Sequence, residues 1–223
     1  MGSLAAAFGG LVALIVACGS RRVPALVLAL VAAGLCALAP IVVQTVGRPA
    51  ETMVSETVRG ERQGVLASLL ADAARTTSLG HRIEIWVSVA DRAVERPLTG
   101  WGLDATRRVP ATREQYGGVA RETIDLHPHN GFLQVWLELG AFGGLAAAAF
   151  FISSGVAVAR RFAGNAWASA ASAGVFAAAL VIFGAGFGAF QSWWLASLFT
   201  LVAFLALAPR RSDEYSGPSQ RND

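Results

Sequence analysis

Apolar and polar residues run along this chain in long blocks. Five apolar blocks stand out, at residues 4–18, 23–46, 132–159, 166–190 and 193–208. A helix needs about 20 apolar residues to cross the hydrocarbon core of a bilayer. The middle three blocks meet that length and the outer two fall short of it. The pattern predicts an all-α fold: a polytopic membrane protein with about five transmembrane helices. The block at 4–18 has no basic residues ahead of it, as a signal peptide would, so it is read as a helix that stays.

One long polar stretch, residues 47–130, separates the second block from the third. Apolar positions return within it at helical intervals. Residues 62–74 gather Leu and Val on one face, and residues 82–93 do the same with Ile85, Trp86, Val89 and Ala93. Such helices lie against a membrane surface or cap a bundle. Pro97-Leu98-Thr99-Gly100-Trp101-Gly102 breaks the period, and its glycines tolerate positive φ, which predicts a tight exposed turn. Residues 107–115 are polar and basic and read as a mobile loop. The tail, 210–223, is polar with Ser, Pro and Asn and reads as disordered. The expected organisation is one membrane domain over 1–209, with a large, partly helical loop over 47–130, followed by a cytoplasmic tail over 210–223.

Composition fits this reading. The chain is 54% hydrophobic and 15% charged, whereas soluble domains run near 25% charged. Charge then sets orientation. Arg21-Arg22, Arg160-Arg161 and Arg210-Arg211 each follow a span or sit in a short connection. The positive-inside rule assigns all three pairs to the cytoplasm, which makes the 47–130 loop extracytoplasmic. Met1 then starts on the outer face, so an odd number of upstream helices is expected to be missing. The chain reads as the C-terminal part of a larger membrane protein, or a truncated relative. The net charge of +3 is accounted for by the Arg pairs. No basic helix with interleaved aromatics points to nucleic acid. Cys18 and Cys36 lie within apolar blocks and read as small buried hydrophobes, not a disulfide framework.

The candidate chemistry sits at the head of the third block. His127-Pro128-His129-Asn130 leads into Gln134 and Glu138. Pro128 favours an extended His127 and the first turn of a helix, so the helix should begin near His129. Asn130, Gln134 and Glu138 then recur every four residues on one face. Glu138 would lie about 12 Å below the helix start. Polar groups at that depth must face protein or a wet cavity, and they mark function more often than not. Simple bonding to neighbouring helices is the plain alternative for Gln134 and Glu138. Zinc is a weak alternative, since His127, His129 and His81 lack a third ligand at diagnostic spacing. Arg82 offers a guanidinium fork suited to a diphosphate, though it could equally be one solvated Arg among many. Gly184-Ala185-Gly186-Phe187-Gly188 reads as close helix packing. Trp193-Trp194 reads as an anchor at the outer interface.

Together these motifs resemble the O-antigen ligase superfamily, which includes O-antigen and exopolysaccharide polymerases and bacterial O-oligosaccharyltransferases. The matching elements are Arg82-x-x-x-Trp86, the Pro97–Gly102 turn, and His127-Pro128-His129-Asn130 running into Glu138-Leu139-Gly140-x-x-Gly143. Their order within one large loop also matches, and Ser20-Arg21 resembles a family Ser-Arg pair. The resemblance implies a multi-pass protein of the bacterial plasma (inner) membrane. It would transfer a glycan from a polyprenyl diphosphate carrier to an acceptor glycan or lipid hydroxyl, on the extracytoplasmic side. His129, with His127 beside it, would be catalytic. Arg82, Asn130, Glu138 and Arg21 would bind substrate, although Arg21 is assigned to the inner face. The scheme requires no metal or other cofactor.

The same chemistry serves a polymerase that joins repeat units, and one sequence does not separate the two. A transporter lined by the Glu138 stripe would show Pro-broken spans in inverted halves, a pattern not seen here. A non-catalytic membrane fragment is the remaining alternative.

Overall fold

The computed structural model describes residues 23–58, 64–65, 68–69, 79–108, 113–116, 119–122, 127–162 and 164–207. The expectations for the 4–18 block, Cys18, Arg21, the 210–223 tail and most of 62–74 fall outside those residues.

Helix α1 (Val23–Val42) continues through one π turn (Val43–Gly47) into α2 (Arg48–Val58), forming a single rod. The 47–130 stretch therefore begins as helix. Pro40 lies inside α1 and has no N–H for the Cys36 carbonyl, four residues earlier. That carbonyl accepts instead from the Trp136 indole, at 2.5 Å. The exchange ties α1 to α4 (Gly131–Arg161), its main packing partner. Small residues let the two backbones close. A Cβ on Gly155 would strike Ala29, and one on Gly144 would strike the Cys36 carbonyl. Such stripes drive helix pairing in lipid, where hydrophobic burial gives little preference.

Helix α3 (Leu79–Glu95) packs across the head of this pair, with Ile85 and Val89 fully buried against Leu133 and Leu137. It caps the bundle, as its apolar face predicted, and an Arg48–Asp91 ion pair ties it to α2. Residues 113–116 and 119–122 form strands β1 (Arg113–Tyr116) and β2 (Val119–Glu122). They pair antiparallel, with Arg113 opposite Glu122 and Tyr116 opposite Val119. This hairpin takes in residues 113–115 of the stretch read as a mobile loop. Among the described residues it is also the one departure from helix-only architecture.

Helix α5 (Ala166–Ala185) stops five residues short of its apolar block, because Gly186 and Gly188 interrupt it. Helix α6 (Ser192–Leu207) is apolar but short. Among the described residues, three helical stretches are long and apolar enough to cross a bilayer: Ala25–Thr57, Gly131–Arg161 and Ala166–Ala185. The chain is a helical, multi-pass membrane protein.

Candidate functional site

The site is built on a break in α4. Gly140 has φ 61° and ψ −154°, so the short helix 131–139 and the long helix 141–161 meet at a kink. A kink leaves carbonyls and N–H groups unpaired. The Pro97–Gly102 segment fills it. The N–H groups of Trp101 and Gly102 donate to the carbonyls of Leu137 and Glu138, at 2.8 and 2.9 Å. Beyond the break, the N–H groups of Ala141 and Phe142 donate to Pro97 and Leu98, at 2.8 and 3.3 Å. Gly100 is buried, and a Cβ there would lie 2.5 Å from the Glu138 backbone. One on Gly140 would lie 2.5 Å from the Leu98 carbonyl. The segment expected to be an exposed turn is exposed at Pro97, Leu98, Thr99 and Gly102, while Gly100 is buried against the helix and Trp101 is half-buried.

The docked segment leads into Asp104, whose φ of 61° is left-handed. Its N–H donates to Glu138 Oε2 at 3.1 Å. Glu138 Oε1 accepts from Gln134 Nε2 at 2.9 Å, and Gln134 Oε1 accepts from the Ala189 N–H at 2.7 Å. Glu138 is 1% exposed. The four-residue spacing read from the sequence thus becomes a buried relay. It joins the 97–104 segment to the α5–α6 connection.

The histidines sit at the head of α4. Trp86 Nε1 donates to the Pro128 carbonyl at 3.0 Å and fixes the peptide between them. His129 has φ 51°, and its ring centroid lies 4.2 Å from that of His127, edge to face. His129 Nδ1 is 3.0 Å from the Gly186 carbonyl. A carbonyl only accepts, so Nδ1 carries the hydrogen and Nε2 is the basic nitrogen of the neutral ring. Arg82 Nη1 donates to the adjacent carbonyl, of Ala185. The guanidinium and the imidazole therefore meet at the C-terminal end of α5, where cations are favoured. Asn130 is the N-cap of α4, its Oδ1 accepting from the Leu133 N–H at 3.1 Å.

Beside the relay opens a cavity of about 550 Å³, lined by His127, Gln134, Glu138, Asp104, Arg107, Gln191 and Trp193 among others. Of the residues singled out in the sequence, His127, Gln134 and Glu138 line it. His129 and Arg82 instead flank the end of α5, and Arg21 is outside the described residues. Asp104, Arg107, Gln191 and Ser192 also line the cavity, although no local pattern marks them as site residues. Arg107 is ion-paired to Asp104 at 3.0 Å. Gly188 packs on His127 and Gln134 and shapes this wall, while Gly184 meets Phe132 where α5 packs on α4, as the close-packing reading expected. Trp194 is buried, and Trp193 lines the cavity while half-exposed.

A family model described as O-antigen ligase matches residues 1–148. A Rickettsia conorii protein named "Putative polysaccharide ligase" is 39% identical over 69 residues, covering 30% of this chain and 17% of that protein. A Rickettsia bellii protein of the same name is 30% identical over 145 residues, covering 62% and 35%. The chain thus spans about a third or less of the length of these curated relatives. No solved structure matches. The matched residues take in the Arg82-x-x-x-Trp86, Pro97–Gly102 and His127–Gly143 motifs, and the chain belongs to the O-antigen ligase family.

Proposed function

We propose that the protein transfers a glycan from a polyprenyl diphosphate carrier to an acceptor hydroxyl at the outer face of the bacterial plasma membrane. The observation that carries this reading is the meeting of His129 and Arg82 on adjacent carbonyls at the end of α5. Family membership supports it. His129 Nε2 takes the proton of the acceptor hydroxyl, whose oxygen forms a bond to the anomeric carbon. The bond from that carbon to the diphosphate oxygen breaks, and the diphosphate leaves with the electron pair. The remaining N–H donors of Arg82 hold the diphosphate as its charge grows, a fork-shaped match. His127 packs edge-on against His129 and limits its ring orientation. Asn130 keeps the helix head in register by capping it.

The test is to incubate the purified chain with a polyprenyl-diphosphate glycan and an acceptor glycolipid, scoring carrier release and product. His129→Ala should slow transfer about a hundredfold or more, with membrane insertion intact. Arg82→Ala should weaken use of the carrier. Wild-type rates in His129→Ala would sink the assignment.

A further inference from the structure

The cavity beside the relay has a wall that the transfer scheme leaves unused. Two buried polar atoms in that wall have no hydrogen-bond partner, His127 Nδ1 and Gln191 Oε1. Such atoms cost stability unless a ligand or water completes them. Both belong to residues that line the cavity. Trp193 stands at the same cavity, 48% exposed and braced edge-on by Phe187 at 4.6 Å. The volume of about 550 Å³ falls within the roughly 300–1,000 Å³ of small-ligand sites.

The charges narrow the occupant. Two carboxyl groups, Asp104 and Glu138, face this space, and the one guanidinium lining it, Arg107, is paired to Asp104. A diphosphate finds no uncommitted guanidinium in such a wall. A donor sugar is bonded directly to its diphosphate, so the donor is poorly suited as well. A neutral ring with several hydroxyls fits better, because each hydroxyl both donates and accepts. One can donate to Gln191 Oε1, and another can pair with His127 Nδ1. The C–H face of the ring can lie on the indole, whose π face carries partial negative charge.

We infer that this cavity is the subsite for the terminal sugar of the acceptor, an uncharged saccharide ring held by Gln191, His127 and Trp193. The inference rests on the glycan-transfer reading and adds to it the side on which the acceptor enters. The donor diphosphate stays with Arg82, outside the cavity.

The experiment uses the purified full chain in detergent and ligand-observed NMR. The probes are methyl glycosides of glucose, galactose and N-acetylglucosamine, with farnesyl diphosphate as the carrier probe. At least one glycoside should bind saturably to wild type. Gln191→Leu should weaken that binding about tenfold, and Trp193→Ala by at least as much. Farnesyl diphosphate binding should be unchanged in both variants and weakened in Arg82→Ala. The thermal midpoint of Gln191→Leu should equal or exceed wild type, because a buried orphan acceptor is gone. The inference is overturned if no glycoside binds, if both variants bind glycosides as wild type does, or if they lose the diphosphate probe to the same extent. A wild-type chain that binds glycosides in this way yet transfers none overturns the transfer reading and leaves the sugar site standing.

Discussion

Glu138 holds both walls of the cavity. Its two oxygens take the Asp104 N–H and the Gln134 amide, and Gln134 in turn takes the Ala189 N–H. Asp104 is ion-paired to Arg107, and Ala189 lies in the connection that carries Gln191 and leads into α6, where Trp193 sits in the first turn. Truncating Glu138 leaves two buried donors unpaired, each costing about 1–3 kcal/mol. Glu138→Ala should therefore lose about 3 kcal/mol, a fall of roughly 5–10 °C in the unfolding midpoint for a chain of this size. Glu138→Gln keeps the shape and one acceptor oxygen, so it should recover at least half of that loss. Circular dichroism melts in detergent measure both, and an unchanged midpoint in Glu138→Ala would show that the relay carries no stability. The four-residue spacing of Gln134 and Glu138 made the relay visible in the sequence, because residues four apart on a helix must stack. Asp104, Arg107 and Gln191 carried no such signal. They reach the cavity only through contacts 34 to 55 residues away in the chain.

At the scale of elements, the central event is the docking of 97–102 into the break of α4. Both glycines are required by space and by backbone: φ is 66° at Gly100 and 61° at Gly140, and any Cβ meets opposing backbone at 2.5 Å. A left-handed L-residue costs about 1–2 kcal/mol and overpacking another 1–3 kcal/mol. Gly100→Ala and Gly140→Ala should each lose about 3 kcal/mol or more. The double variant should lose less than their sum, since both open the same junction. Gly34→Ala is the control: nothing lies within 4 Å of its added Cβ, and Ala is the better helix former. Thermal melts of the four variants decide the matter, and additive losses would mean that the two glycines serve separate contacts. The spanning helices could be read from the sequence because bilayer thickness imposes a length. The break could not. Gly140 sits inside an apolar run, and the segment that fills it lies some forty residues upstream. For the same reason the docking of the Pro97–Gly102 turn was hidden: its hydrogen-bonding partners belong to another element. The helical start of the 47–130 stretch was hidden by its polar composition.

For the molecule as a whole, the break decides how the polar stripe and the membrane coexist. Residues 141–161 alone extend about 31 Å at helical rise, matching the roughly 30 Å hydrocarbon core. The 131–139 segment, with Gln134 and Glu138, therefore need not enter lipid. It is covered instead by α3 and the docked 97–102 segment. This differs from a straight helix, which would carry Glu138 into the bilayer. Arg160 and Arg161 close the other end of the span. If the Arg pair is cytoplasmic, the cavity opens on the opposite side, the outer face to which the proposed transfer is assigned. Cysteine labelling tests this directly in a background where Cys18 and Cys36 are replaced by Ala. Leu98→Cys, exposed on the docked segment, should react with a membrane-impermeant maleimide in intact spheroplasts. Gly164→Cys, just past the Arg pair, should react only after permeabilisation. The reverse order would turn the cavity toward the cytoplasm, away from the side the proposed transfer needs, and the same labelling at both sites would mean that 141–161 does not cross the membrane.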